Sequence, residues 1–141
     1  MNHWKLTLLT VVVLMVLLFT GKLFWDEYQQ NRASQKMPEV MRILDSVEIP
    51  GREIKTMPSV NEYSASVWRY YENEIPITEL KERVQEQIEP AGFSFFKRHE
   101  SYGGPQYSFR KGEYEVIVAE VSGDTTTANV ALSVNWYGID R

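Results

Sequence analysis

The chain has 141 residues, 43% of them hydrophobic, a formal net charge of −4 and no cysteine. That length suits one domain, and the lack of cysteine removes disulfides, thiol nucleophiles, Cys-ligated zinc and an acylated lipoprotein cysteine. Charge is unevenly placed: residues 1–36 carry +2, whereas the remainder holds 11 basic and 17 acidic side chains, or −6, a balance that repels phosphate backbones and anionic lipid and excludes general nucleic-acid binding.

The first element is apolar. Leu6 to Phe19 holds no charge and only two threonines. Trp4 and Trp25 flank it 21 residues apart, which is about 31 Å of helix at 1.5 Å per residue. A bilayer core is about 30 Å thick, and indoles prefer its two interfaces. Lys22 sits one turn inside the second interface and is long enough to snorkel outward. Trp4, Lys22 and Trp25 are therefore the expected membrane-interface residues. After the apolar run come Thr20, Gly21, Lys22, Leu23 and Phe24. No small-x-small cleavage pattern appears there, so residues 1–25 read as an uncleaved transmembrane signal-anchor. The short basic tail before the span favours an N-inside orientation, with the C-terminal part outside the cytoplasm. Lys22, Arg32 and Lys36 on the far side count against that orientation.

Residues 26–37 are polar and read as a helical stalk or a flexible linker, closed by Pro38. The domain then runs over residues 38–141. Val40, Ile43, Leu44 and Val47 form one stripe of a short helix with Pro38 in its first turn. Ile49-Pro50-Gly51 reads as a turn, and Glu53–Met57 as a short strand interrupted at Pro58. Residues 61–71 are rich in strand formers on both faces, which suits a central strand. Thr78 is the expected N-cap of a helix whose core stripe is Leu80, Val84 and Ile88, stopped by Pro90 and Gly92.

Four strands follow: 93–101, 106–110, 114–121 and 128–137. The turns between them fall at Gly103-Gly104-Pro105, Lys111-Gly112 and Ser122-Gly123-Asp124. In the last strand Val130, Leu132, Val134 and Trp136 alternate with Asn129, Ser133 and Asn135. Such alternation marks an antiparallel sheet packed on one face. The expected fold is α+β: one N-terminal transmembrane helix, then a two-layer domain with a mainly antiparallel sheet against one or two helices.

This order resembles small membrane-anchored or lipid-anchored extracytoplasmic proteins of Gram-positive bacteria. The matching pieces are the apolar anchor, the Pro50-Gly51 turn, the Ser/Tyr/Trp strand, and a helix ending in Ala91-Gly92-Phe93 before an aromatic strand. The resemblance spans most of the chain and implies location and fold, with no catalytic residues. The chain departs from lipid-anchored members in having no cysteine.

Chemistry-bearing motifs are few. His3 lies in the tail, and His99 on a strand without a nucleophile elbow to serve it. Asp45, Asp124 or Asp140 could complete a triad only on paper. With one domain histidine and no Cys, a transition-metal site is not expected, and Glu113, Glu115 and Glu120 have strand spacing rather than that of a calcium loop. No cofactor and no catalytic residues are expected, and the chain is read as a non-enzyme. One basic cluster stands out. Simple pairing across Gly103-Gly104 would set Lys97 opposite Arg110 and bring Arg98 and Lys111 nearby, at one end of an acidic domain. Neighbouring glutamates neutralise such a cluster, or it recognises anions.

Three functions remain on these residues. The first is a membrane-tethered, non-catalytic binding or accessory domain at the cell envelope. The second is an envelope enzyme whose cleft the sequence does not reveal. The third is a binder of anionic cell-wall polymer through the basic hairpin end. The expected partners are the lipid bilayer and a protein or cell-wall component, with no nucleic acid.

Overall fold

The computed structural model describes residues 2–122 and 127–138. The chain opens with one helix, α1, over His3–Asp45. It is followed by β1 (Arg52–Val60), β2 (Ser64–Glu72), α2 (Ile77–Ile88), β3 (Ser94–Ser101), β4 (Gly104–Lys111), β5 (Tyr114–Glu120) and β6 (Val130–Tyr137). The strands form one sheet in the order β1-β2-β6-β5-β4-β3. Every neighbouring pair is antiparallel. The fold is thus α+β, with a long apolar N-terminal helix and a six-stranded antiparallel sheet. Gly123 and Asp124 of the expected last turn lie outside the described residues, as does Asp140.

Alternation along the strands sorts the side chains onto two faces. One face carries Ala65, Val67, Tyr107, Phe109, Val116, Val118, Leu132, Val134 and Trp136, all buried in a single cluster with residues of both helices. Helix α1 covers β2 and β6, and α2 covers β5, β4 and β3. Burying each Leu or Val contributes about 1.5–3 kcal/mol, so this layer supplies most of the stability.

Two expectations about α1 are corrected. Pro38 does not end the stalk; it lies inside the helix. The segment from Asp26 to Lys36 also has a buried stripe. Ala33 is fully buried and Met37 packs against the core. They stand seven residues before Val40 and Leu44, so the stripe continues backward in register. Pro38 lies on the solvent side of the helix, where the carbonyl of Ser34 that it cannot satisfy meets water. An interior proline costs about 3 kcal/mol, and the packing of Ala33 before it and Val40 after it offsets that cost.

The far end of α1 is closed by Arg69 of β2. Its guanidinium donates to Asp45 Oδ1 at 2.8 Å and to Thr56 Oγ1 at 3.1 Å. Burial pulls its pKa down, but Asp45 and Tyr71, with a smaller contribution from Glu53, outweigh that, so the net shift is upward.

Three further expectations change. Pro58 does not interrupt β1, which runs through it. The strand is at the sheet edge, where a missing N–H breaks no ladder. Thr78 is not the N-cap. Pro76 occupies that place, its carbonyl accepting from the N–H groups of Glu79 and Leu80. Finally, the β3–β4 register differs. Lys97 lies opposite Ser108 and Arg110 opposite Ser94, with an irregularity between Phe95 and Lys97. The turn is Tyr102-Gly103 rather than Gly103-Gly104-Pro105, since Gly104 and Pro105 already pair with Ser101 and Glu100, and this moves Lys97 by two residues; the bulge adds one more at Ser94. Two tight places behave as read. Gly51 has φ +112°, and a Cβ there would fall 2.3 Å from the Glu72 carbonyl oxygen. Gly92, with φ +97°, ends the helical turn after α2.

Candidate functional site: the open face of the sheet

The second face of the sheet is covered by neither helix, since the buried residues of α1 and α2 all pack in the cluster on the first. Three rows of side chains cross it. The central row runs Met57, Trp68, Ser133, Ile117, Ser108, Lys97; on either side lie Lys55-Tyr70-Ala131-Ala119-Gln106-His99 and Ser59-Ser66-Asn135-Glu115-Arg110-Ser94. Small side chains occupy the middle strand, so Ala131 and Ser133 sit at the floor of a trough, fully buried. Larger groups form the walls.

On the β2 side the wall is aromatic. Trp68 and Tyr70 stack with ring centroids 6.4 Å apart and planes 27° apart. Lys55 Nζ from β1 stands 5.0 Å from the Tyr70 ring centre. On the β3 side Phe96, about half exposed, carries two cations: Arg110 at 3.7 Å and Lys97 at 5.6 Å. Such contacts stabilise by roughly 0.5–1 kcal/mol when exposed. Arg110 Nε also donates to Glu115 Oε2 at 2.9 Å, and that carboxylate is almost fully buried.

One polar group in the trough is unsatisfied. Asn135 is 5% exposed; its Oδ1 accepts from Ser133 Oγ at 3.2 Å, while its Nδ2 has no partner. Turning the amide round would leave the oxygen orphaned instead, because an amide offers two distinct ends. A buried donor left unpaired costs about 1–3 kcal/mol.

The basic cluster expected from the sequence is divided by this geometry. Lys97 and Arg110 meet around Phe96 on the open face. Arg98 lies on the opposite face, across from Tyr107, and pairs with Glu100. Lys111 reaches the other layer and donates to the Ala91 carbonyl at 2.5 Å. Glu113, close in sequence to this cluster, does not neutralise it: it accepts the Trp136 indole N–H at 3.0 Å and faces Arg32 at 3.6 Å. Arg32 and Lys36 lie 5.3 and 5.8 Å from the Trp136 ring centre, which fixes the segment after the apolar half of α1 to the last strand.

Trp4, Lys22 and Trp25 all lie on α1, and both indoles are exposed. His99 is exposed at the β3 edge of the open face. Among the described residues no group of three or more His, Cys, Asp or Glu side chains is placed to hold a metal ion.

A separate cleft of about 420 Å³ opens where α1 and α2 part, with Ile43, Ile88, Phe93 and Tyr114 at its wall. Its charged rim is self-neutralised: Arg42 donates to both oxygens of Glu39. That bond holds the Glu39 carboxyl below its usual range.

Sequence reasoning missed the trough because it requires knowing that β6 lies between β2 and β5. The polar alternation of Ser133 and Asn135 was visible. That Trp68 and Tyr70 would stand beside them was not. No protein-family model, curated protein or solved structure matches this chain.

Proposed function

We propose that the chain is a single-pass membrane protein whose α1 crosses the bilayer with its apolar half and carries a non-catalytic binding or accessory domain on the outer side. One observation carries the reading. α1 is a single helix whose most apolar stretch has no residue buried within the protein, while Ala33, Val40 and Leu44 of the same helix are fully buried in the domain core. Apolar residues left wholly exposed need another apolar medium, and this helix is long and apolar enough to cross a membrane. The half that anchors and the half that packs belong to one continuous helix, so the domain is held close to the bilayer. Tethering raises the effective concentration of a weak binder for anything at the same surface.

The experiment is fractionation of cells expressing the full chain. The protein should resist extraction by alkaline carbonate. Because the chain has no cysteine, Ser59→Cys gives a single thiol on the domain, which a membrane-impermeant maleimide should label in intact cells. Recovery in the soluble fraction would remove the anchor. Labelling only after lysis would reverse the orientation.

The envelope-enzyme reading has a specific test too. Substituting His99 and each domain glutamate in turn, apart from Glu113 and Glu115, whose bonds to Trp136 and Arg110 hold the sheet, should leave the cellular phenotype of the protein unchanged. Loss at one position would restore that reading.

A further inference from the structure

The open face has a charge opposite to that of the domain bearing it. Its three rows hold Lys55, Lys97 and Arg110 against Glu115 alone, in a region that totals −6. The two lysines stand on the two edge strands, five strand spacings apart, or about 24 Å at about 4.8 Å per spacing. Between them lie the Trp68–Tyr70 platform, the Phe96 ring and the unpaired amide of Asn135. We propose, resting on the envelope location above, that this face binds an anionic polysaccharide lying across the strands.

Each part of the surface suits that chemistry. A sugar ring offers an apolar C–H face to an aromatic platform and hydroxyls to side-chain amides and hydroxyls, and beside the rings this face presents the accessible Gln106, Ser66 and Ser59. Carboxylate or phosphate groups along the polymer meet the lysines at either edge. The 24 Å span requires a polymer, because a single sugar reaches one lysine at most. An acidic peptide is served less well. An extended peptide binds a sheet along an edge, through main-chain hydrogen bonds, and the open face presents side chains only. Single-stranded nucleic acid also stacks on aromatic rings, but it needs a continuous cationic groove, which three cations and a buried glutamate do not make.

The test uses the full chain in nanodiscs of zwitterionic lipid, with polygalacturonate as the probe. Binding should be saturable and weaken with salt. It should fall at least tenfold for the galacturonate dimer and for the methyl-esterified polymer, which keeps the sugar and loses the charge. Trp68→Ala should weaken binding about tenfold, as loss of one stacked ring does, and Trp68→Phe should restore part of it. The double change Lys55→Glu with Lys97→Glu touches only exposed side chains and should abolish binding while leaving the circular dichroism of the domain unchanged.

Equal binding of the esterified polymer, or full binding by the double variant, would overturn the proposal. So would polyglutamate or poly(dT) binding as tightly as polygalacturonate, which would make the ligand a peptide or a nucleic acid. Cross-linking of Ser59→Cys between two chains would instead make the face a contact between copies. A chain that stays in the membrane yet binds none of the probes would sink this inference and leave the anchored reading standing.

Discussion

The two faces of the sheet are built from the same strands and are finished differently. The covered face is continuous hydrocarbon from Phe109 across Val116 and Val134 to Val67, and each of these four side chains is fully buried. The open face, one residue out of phase, alternates small polar groups with half-exposed rings and holds the unpaired amide of Asn135. A surface that served stability alone would not keep an orphaned donor in a trough. The difference teaches that destabilising changes and function-removing changes should separate by strand parity.

The largest test of that separation is on the covered face. Leu132→Ala removes a fully buried side chain of the middle strand and should lower unfolding free energy by about 2–5 kcal/mol, read by chemical denaturation. A change well under 1 kcal/mol would mean the helices do not pack there. Next is Trp136→Phe, which keeps most of the ring but loses the bond to Glu113 and weakens the contacts with Arg32 and Lys36. A loss of about 1–2 kcal/mol is expected. Hydrogen exchange should also rise in residues 26–37 as α1 loosens from β6; unchanged exchange would free the helix from Trp136.

On the open face, Asn135→Ala relieves a buried unpaired donor, worth about 1–3 kcal/mol, but takes the acceptor from the buried Ser133 hydroxyl at a similar cost, so the two oppose and the net change should be smaller than that of Leu132→Ala. A loss as large as that of Leu132→Ala would show the amide to be satisfied in the folded protein. The smallest effect is in alkali. Burial pushes the Tyr71 and Tyr114 phenols above the ordinary tyrosine value, with Glu39 and Glu113 adding to the shift at Tyr114. Groups raised in the folded state favour folding fully below the unfolded pKa and lose that contribution as pH climbs through the folded one. Stability should therefore decline above about pH 10, with Tyr71 and Tyr114, and Tyr63 beside Glu62, ionising late in an ultraviolet titration. Simultaneous ionisation of all the tyrosines before unfolding would contradict it.

Much of this was readable before the structure. The 2-residue period of Val130 to Trp136, the Leu80-Val84-Ile88 stripe and the turns at Gly51 and Gly112 each state a local rule, and each of these elements formed near its expected bounds. What failed were the places where tertiary contact overrides a local rule. Pro38 reads as a helix stop, yet Ala33 and Met37 pack the preceding turns onto β6. Pro58 reads as a strand break, yet an edge strand tolerates it. The basic cluster split because neighbouring strand residues point to opposite faces, which keeps Lys97 with Arg110 and sends Arg98 and Lys111 to the other side. The candidate site was the least legible, since its aromatic wall and its polar floor come from strands far apart in sequence.

The central claim is that the anchoring half and the packing half of α1 are one uninterrupted helix. Spin labels at Lys22→Cys and Arg42→Cys in the otherwise cysteine-free chain measure it directly in nanodiscs by pulsed dipolar spectroscopy. Twenty residues of helix predict a narrow distribution centred at about 30 Å. A broad distribution, or one centred well below that length, would show a joint between the two halves and contradict the account.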